Sequence, residues 1–345
     1  MSAHLGGRID GRCPPGGARH RGALAGAGLV LAMMIVGVAS ADPPSSAVRL
    51  SAADAARTGT TIELVRHAVA GGLVLEVIPV PGSVSHGIAT NLLAVSPDGS
   101  AAAFADQVGE LSGLLTVARD DGSQVRVQLP GLLAASFTPD GARLIVVDGR
   151  GSAWQIDAER GDALALADGP FTGSPIVAAD GSLLFLSVSS VEAPYRSRLV
   201  RLAPSGGEAT PVSADELVYA AFPLTDGSVA IVAHEPGRTA VRRIGIGEAS
   251  SKLLADLGAG AVNVTLSGDG RTIAFEAGGS GIFVIDSPGA RPRRLGDGSS
   301  PCLAPDSSAL LVRRGTGSEV LALDGSTLAT LDGTAQFSGS AGCSS

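Results

Sequence analysis

Past residue 41 the chain carries few groups suited to catalysis: His67, His86, His234, Cys302 and Cys343 are its only histidines and cysteines there. No two of the histidines fall at metal-ligand spacing, and no Cys-x-x-Cys, His-x-Glu or His-Glu-x-x-His occurs, so neither zinc nor another metal is expected. No Gly-x-Ser-x-Gly nucleophile elbow stands between a strand pattern and a helix pattern. Cys302 and Cys343 suit one structural bridge tying down the C-terminal tail, with two free thiols as the alternative. The residue that recurs is aspartate. Asp98, Asp140, Asp180, Asp226, Asp269 and Asp306 lie 42, 40, 46, 43 and 37 residues apart. Calcium would need several oxygens converging from one loop. Single aspartates instead fit turns, where the side chain accepts hydrogen bonds from its own backbone.

Their surroundings support turns. The segments read Ser96-Pro97-Asp98-Gly99, Thr138-Pro139-Asp140-Gly141, Ala178-Ala179-Asp180-Gly181, Leu224-Thr225-Asp226-Gly227, Ser267-Gly268-Asp269-Gly270 and Ala304-Pro305-Asp306-Ser307. Proline presets φ early in the turn and glycine accepts the positive φ that follows. Four to six residues past each aspartate the chain is apolar at every position, as in Leu144-Ile145-Val146 and Leu184-Phe185-Leu186. A strand with one wet face would alternate, so these strands are covered on both sides. Before the turn, Val95, Phe137, Val177, Leu266 and Leu303 keep one register; repeat four breaks it, with Pro223 at that place and Phe222 beside it.

A hairpin unit repeated about every 40–45 residues is the period of a four-stranded propeller blade. The Ser-Pro-Asp-Gly turn followed by Ser100-Ala101-Ala102-Ala103-Phe104-Ala105 resembles the TolB-like propeller repeat, over roughly residues 60–340. Prolyl-oligopeptidase-like enzymes use the same repeat, with the catalytic triad on a separate hydrolase domain that has no counterpart in this sequence. The chain does not resemble the WD repeat, since its only tryptophan, Trp154, precedes Gln155. The resemblance implies an all-β propeller and says little about activity. Six motifs suggest six blades. Thr61–His67 and Leu73–Val80 also read as strands, and Ala335-Gln336-Phe337 resembles the strand ahead of each turn. A composite seventh blade follows, with its inner strand from the C-terminus and its outer strands from the N-terminus. Six blades with an extra hairpin are the alternative.

The rest of the organisation is set by the ends and the composition. The chain has 345 residues. Arg8, Arg12, Arg19 and Arg21 precede an uncharged apolar stretch, Gly22 to Val38, and then Ala39-Ser40-Ala41. This is a secretory signal pattern over residues 1–41, with an uncleaved anchor as the alternative and the sole basis for membrane attachment. Residues 42–59 read as a flexible mature N-terminus and 60–345 as the propeller. The formal charge of −8 becomes −11 once the signal's four arginines and Asp10 are removed. With 3% aromatic residues, an acidic balance excludes a general nucleic-acid binder.

Topology then says where a site would be. The motif turn joins the two inner strands of a blade on one face of the ring. The loops between second and third strands and between blades open on the other face, around the channel mouth. Candidates there are Asp106, Asp148, His234, Arg314 and the insertion of repeat three with Tyr195, Arg196 and Arg198. Tyrosine and arginine dominate interface hot spots, so Tyr195 with its two arginines is the anchor of choice. The reading is a secreted or envelope-located, monomeric, non-catalytic propeller that binds a protein or peptide and needs no cofactor. The alternative is an enzyme or a glycan or small-molecule binder working at the mouth.

Overall fold

A computed structural model describes residues 48–49, 62–69, 72–79 and 91–338, except 108–112, 179, 191–195, 215–216, 247, 249 and 333. The chain divides into two units, residues 1–40 and 41–345, and the described residues all belong to the second. They form a seven-bladed β-propeller.

Each motif turn closes the hairpin between the first and second strands of a blade. Blade one is Asn91–Val95, Ala101–Gln107, Gly113–Arg119 and Gln124–Leu129, with Val48–Arg49 added outside the last. Blade two runs from Ala134–Phe137 to Ala163–Ala167, blade three from Phe171–Val177 to Thr210–Pro211, and blade four from Leu217–Pro223 to Ser251–Gly258. Blade five runs from Val262–Leu266 to Arg293–Asp297 and blade six from Ser299–Leu303 to Thr327–Leu331. The seventh is the composite: Thr334–Phe337 is innermost, Gly72–Pro79 lies beside it and Ile62–Val69 is outside. The innermost strands touch in sequence around the ring, and Thr334–Phe337 touches both Ser299–Leu303 and Asn91–Val95. Seven blades therefore replace the six-blade alternative, and the first and last parts of the propeller share a blade.

The two-sided apolar strands have a direct purpose. In the second strand of blade four, Ala230 and Val232 pack toward blade five with Val264, Leu266 and Phe275. Val229, Ile231 and Ala233 pack toward blade three with Leu184, Leu186 and Leu199. The period of two sorts alternate side chains between neighbouring blades, so neither face is wet.

Repeat four's hairpin differs from those of most blades, and repeat three, whose apolar register holds, shares the difference. In blades one, two, five and six the residue two before the aspartate bonds a carbonyl three after it, as in Ser96 N to Ala101 O at 2.9 Å. In blades three and four the partner is one residue nearer, Ser182 O for Ala178 and Ser228 O for Leu224. The hairpin is tighter by one residue, Pro223 faces Val229, and Phe222 sits buried opposite Ala230.

Ring closure is secured at several points. Phe337 is fully buried with Val74, Cys302 and Leu311. Ser338 N bonds Leu73 O at 2.8 Å, and Ser338 Oγ donates to Pro97 O at 2.6 Å, tying the last strand to the first motif turn. Gly99 of that turn has φ +66°, and a Cβ there would meet Leu73 Cδ2 at 2.2 Å. Cys302, on the inner strand of blade six, is disulfide-bonded. Cys343 lies outside the described residues, as do His86 and Tyr195.

Candidate functional site

On the motif face the repeated aspartates are turn caps. Asp98 Oδ1 accepts from Ser96 Oγ at 2.7 Å, Ser100 N at 3.0 Å and Ser100 Oγ at 2.8 Å. The Ser96 hydroxyl first, then the Ser100 amide, lower its pKa to about 2. Asp140 takes Thr138 Oγ1 and Ala142 N. Asp180 and Asp226 take the serine two residues on, Ser182 and Ser228, and pair with Arg201 and Arg243. Asp269 takes Ser267 Oγ and Arg271 N, and Asp306 takes Ser308 N and Oγ. Hydrogen bonds of this kind lower the carboxyl pKa of Asp140, Asp180, Asp226 and Asp269 as well. Among the described residues no three His, Cys, Asp or Glu side chains converge as a metal site.

The mouth face is where the candidates spread. Asp106, at the mouth end of its strand, is paired with Leu114 in blade one. Asp148 follows the second strand of blade two, His234 nears the end of that strand in blade four, and Arg314 ends it in blade six. One residue per blade thus occupies an equivalent strand end, rather than a single cluster. Arg196 pairs with Ser190 and Arg198 with Ser187 in blade three.

Asp148 does not present itself to a partner. It is 1% exposed, with Oδ1 accepting from Arg150 N at 2.8 Å and Ser152 N at 2.9 Å, and Oδ2 from Trp154 Nε1 at 2.9 Å. Burial raises its pKa against the pull of these bonds. The tight loop Asp148–Ser152 folds the carboxylate inward to satisfy an indole that would otherwise be buried and unpaired. Arg314 is also engaged, donating Nε to Asp297 O at 3.0 Å and pairing with Glu319 at 2.8 Å.

The best-organised polar group lies at the mouth end of blades four and five. His234 stacks on Tyr219 with ring centroids 4.4 Å apart and planes inclined by 22°. His234 Nδ1 is 3.0 Å from Thr239 Oγ1, and Thr239 Oγ1 donates to Ala261 O of blade five at 3.2 Å. Burial lowers the His234 pKa and raises that of Tyr219. Next to it, burial disfavours the Glu235 carboxylate, but hydrogen bonds from Arg242 and Arg238, both 2.7 Å, outweigh this and lower its pKa. Arg238 reaches Asp256 at 3.2 Å as well.

Tyr219 escaped the sequence reading because it occupies a bulge. Register shifts interrupt the inner strands of blades one, three, four, five and six near the mouth, at Leu92/Ala94, Thr172/Ile176, Val218/Ala220, Val262/Thr265 and Ser299/Cys302. Bulges re-aim side chains and are frequent beside functional sites. Gly173, Asn263 and Ser300 take positive φ there, 68°, 48° and 48°. Asn263 Nδ2 donates to Glu276 Oε2 at 2.9 Å. The available signal was proline and glycine inside a strand pattern, Gly173-Ser174-Pro175 and Pro301. Two apolar side chains stand out at the same rim: Leu133, just before the inner strand of blade two, is 41% exposed, and Val262, first in that of blade five, is 38% exposed.

No family model matches the chain, and no curated protein matches it in sequence. Solved structures share its fold. TolB from Acinetobacter baumannii is 18% identical, with 86% of this chain and 88% of that chain covered and a TM-score of 0.53. A protein from Lactobacillus plantarum is 13% identical, covering 79% of this chain and 97% of that one, with a TM-score of 0.53. The tricorn protease is 10% identical at a TM-score of 0.55, over 86% of this chain but 36% of its own length. At these identities the likeness is one of fold: a seven-bladed, TolB-like propeller.

Proposed function

We propose that this propeller is an exported, non-catalytic binding protein whose channel-mouth face docks a protein or peptide outside the cytoplasm. The observation that carries the reading is the rim of that face: Val262 stands exposed beside the half-buried Tyr219, whose hydroxyl reaches the adjoining Ala261 O, with Glu235, Arg238 and Asn263 on the same two blades, and Leu133 stands exposed on blade two. Apolar and aromatic anchors within a polar surround are the makeup of a docking surface. The Cys302 disulfide supports an oxidising compartment, in keeping with the secretory pattern at the N-terminus. The spread of Asp106, Asp148, His234 and Arg314 over four blades, with Asp148 sealed, favours this reading over catalysis at the mouth.

Capture from an envelope extract with the tagged mature protein tests it. The wild type retains one reproducible partner, Val262→Asp and Tyr219→Ala lose it, and Leu164→Asp, on the outer strand of blade two, keeps it. Equal retention by all four proteins would contradict the reading.

A further inference from the structure

The hydrogen bonds around His234 determine which of its ring nitrogens bears the proton. Thr239 is fully buried and has one hydroxyl proton. That proton is directed to Ala261 O, a carbonyl of the neighbouring blade. The hydroxyl oxygen is then left as an acceptor toward His234 Nδ1, 3.0 Å away. Both contacts are satisfied together only when Nδ1 carries hydrogen, which leaves Nε2 with a bare lone pair. Burial of the ring favours the neutral form that this tautomer requires. The parallel face of Tyr219, 4.4 Å away, fixes the ring plane.

Nε2 has no protein partner among the described residues, and it is absent from the sealed atoms that lack one. By contrast, His67 uses its Nε2 on the buried Glu76, at 2.7 Å. The charges flanking His234 cancel: Arg238 and Arg242 stand against Glu235 and Asp256, joined by ion pairs.

We propose that His234 is a fixed hydrogen-bond acceptor for a neutral N–H donor, such as a backbone amide of the docked partner, with Thr239 as its positioning residue. This rests on the mouth-face docking reading for the partner's identity as a peptide or protein, but not for the acceptor itself. The amide would sit in line with Nε2, at the edge of the His234 and Tyr219 stack. Neighbouring contacts would come from Val262 and Asn263 of blade five.

Nitrogen-15 NMR of the histidine side chains in the whole mature protein, at neutral pH, tests it without any partner. The expected spectrum assigns His234 as the Nδ1–H tautomer. Thr239→Ser keeps that tautomer, whereas Thr239→Val yields a mixture; because serine retains the hydroxyl, the pair separates positioning from mere folding. Titration with N-methylacetamide shifts the Nε2 resonance. N,N-dimethylacetamide, which lacks the N–H, shifts it several-fold less. An Nε2–H tautomer, or equal responses to the two amides, would overturn the proposal. A response to N-methylacetamide in a protein that captures no envelope partner would sink the docking reading alone. A captured partner with no amide selectivity would sink this proposal alone.

Discussion

Ser96 and Asp98 show how a repeated motif converts into stability. Ser96 is 1% exposed, and its Oγ donates to Asp98 while accepting from Ala101 N at 2.9 Å. Ser96→Ala leaves the Ala101 amide buried and unpaired, and should cost about 1–3 kcal/mol in a urea melt. Asp98 adds a pH dependence whose sign follows from its lowered pKa. Its contribution is complete above the ordinary carboxyl range near 4 and is lost as pH falls through about 2. The side chain is largely exposed, so solvent screens the effect and the amplitude is small. Asp98→Asn should flatten that part of the acid limb, which melting temperatures measured between pH 5 and 2 will register. At this scale the sequence was readable for the turns, because each aspartate serves its own neighbours. It was not readable for Asp148, a similar Asp-Gly pair whose partner is the Trp154 indole six residues on. Tyr219 was hidden, and so was its stack on His234, a residue the sequence did single out, since the stacking depends on a bulge and a strand pairing rather than on spacing.

Among the glycines of the motif turns, Gly99 has the closest neighbour. Gly99 and Gly227 occupy equivalent positions with φ +66° and +80°. A Cβ on Gly227 enters open space, whereas one on Gly99 strikes Leu73. Gly227→Ala should therefore cost about 1–2 kcal/mol, the strain of a left-handed alanine. Gly99→Ala should cost more, because the Leu73 side chain must also move aside. Equal midpoints for the two variants would mean that blade seven does not press on the turn. Phe337, wholly buried on a four-residue strand, is the other critical point. Phe337→Ala should lose about 3–5 kcal/mol, and hydrogen exchange should rise in Gly72–Pro79 and Asn91–Val95, the strands flanking it. The apolar runs made these strands legible. The tighter hairpins of blades three and four and the bulged inner strands were not, because one residue more or less leaves the apolar pattern almost intact.

For the whole molecule, closure is the property that no local signal could supply. Six motifs gave six hairpins; the seventh blade became visible only by matching Ala335-Gln336-Phe337 to the strands that precede the turns. The innermost strands then complete the ring, and the Cys302 disulfide lies beside the joint. Pairing with Cys343 would close a loop of about 40 residues and restrict the unfolded chain by about 4 kcal/mol. Reductant should then lower the melting temperature of the wild type and leave Cys302→Ser and Cys343→Ser, already lowered equally, unmoved. A Cys343→Ser variant that melts like the oxidised wild type would show that Cys302 is bridged elsewhere. The ring also gives the molecule two unlike faces, one occupied by self-satisfied aspartate turns and one with exposed apolar side chains and an imidazole whose Nε2 has no partner among the described residues. The assignment of partner docking to the second face is the central functional claim. Site-specific photo-crosslinking in the producing cells tests it most directly, with a photoreactive residue placed at Val262 or Leu133 on the mouth face and at Asp306 or Asp324 on the motif face. The account predicts a discrete crosslinked species from the two mouth positions and none from the two motif-face positions; crosslinks confined to the motif face would contradict it.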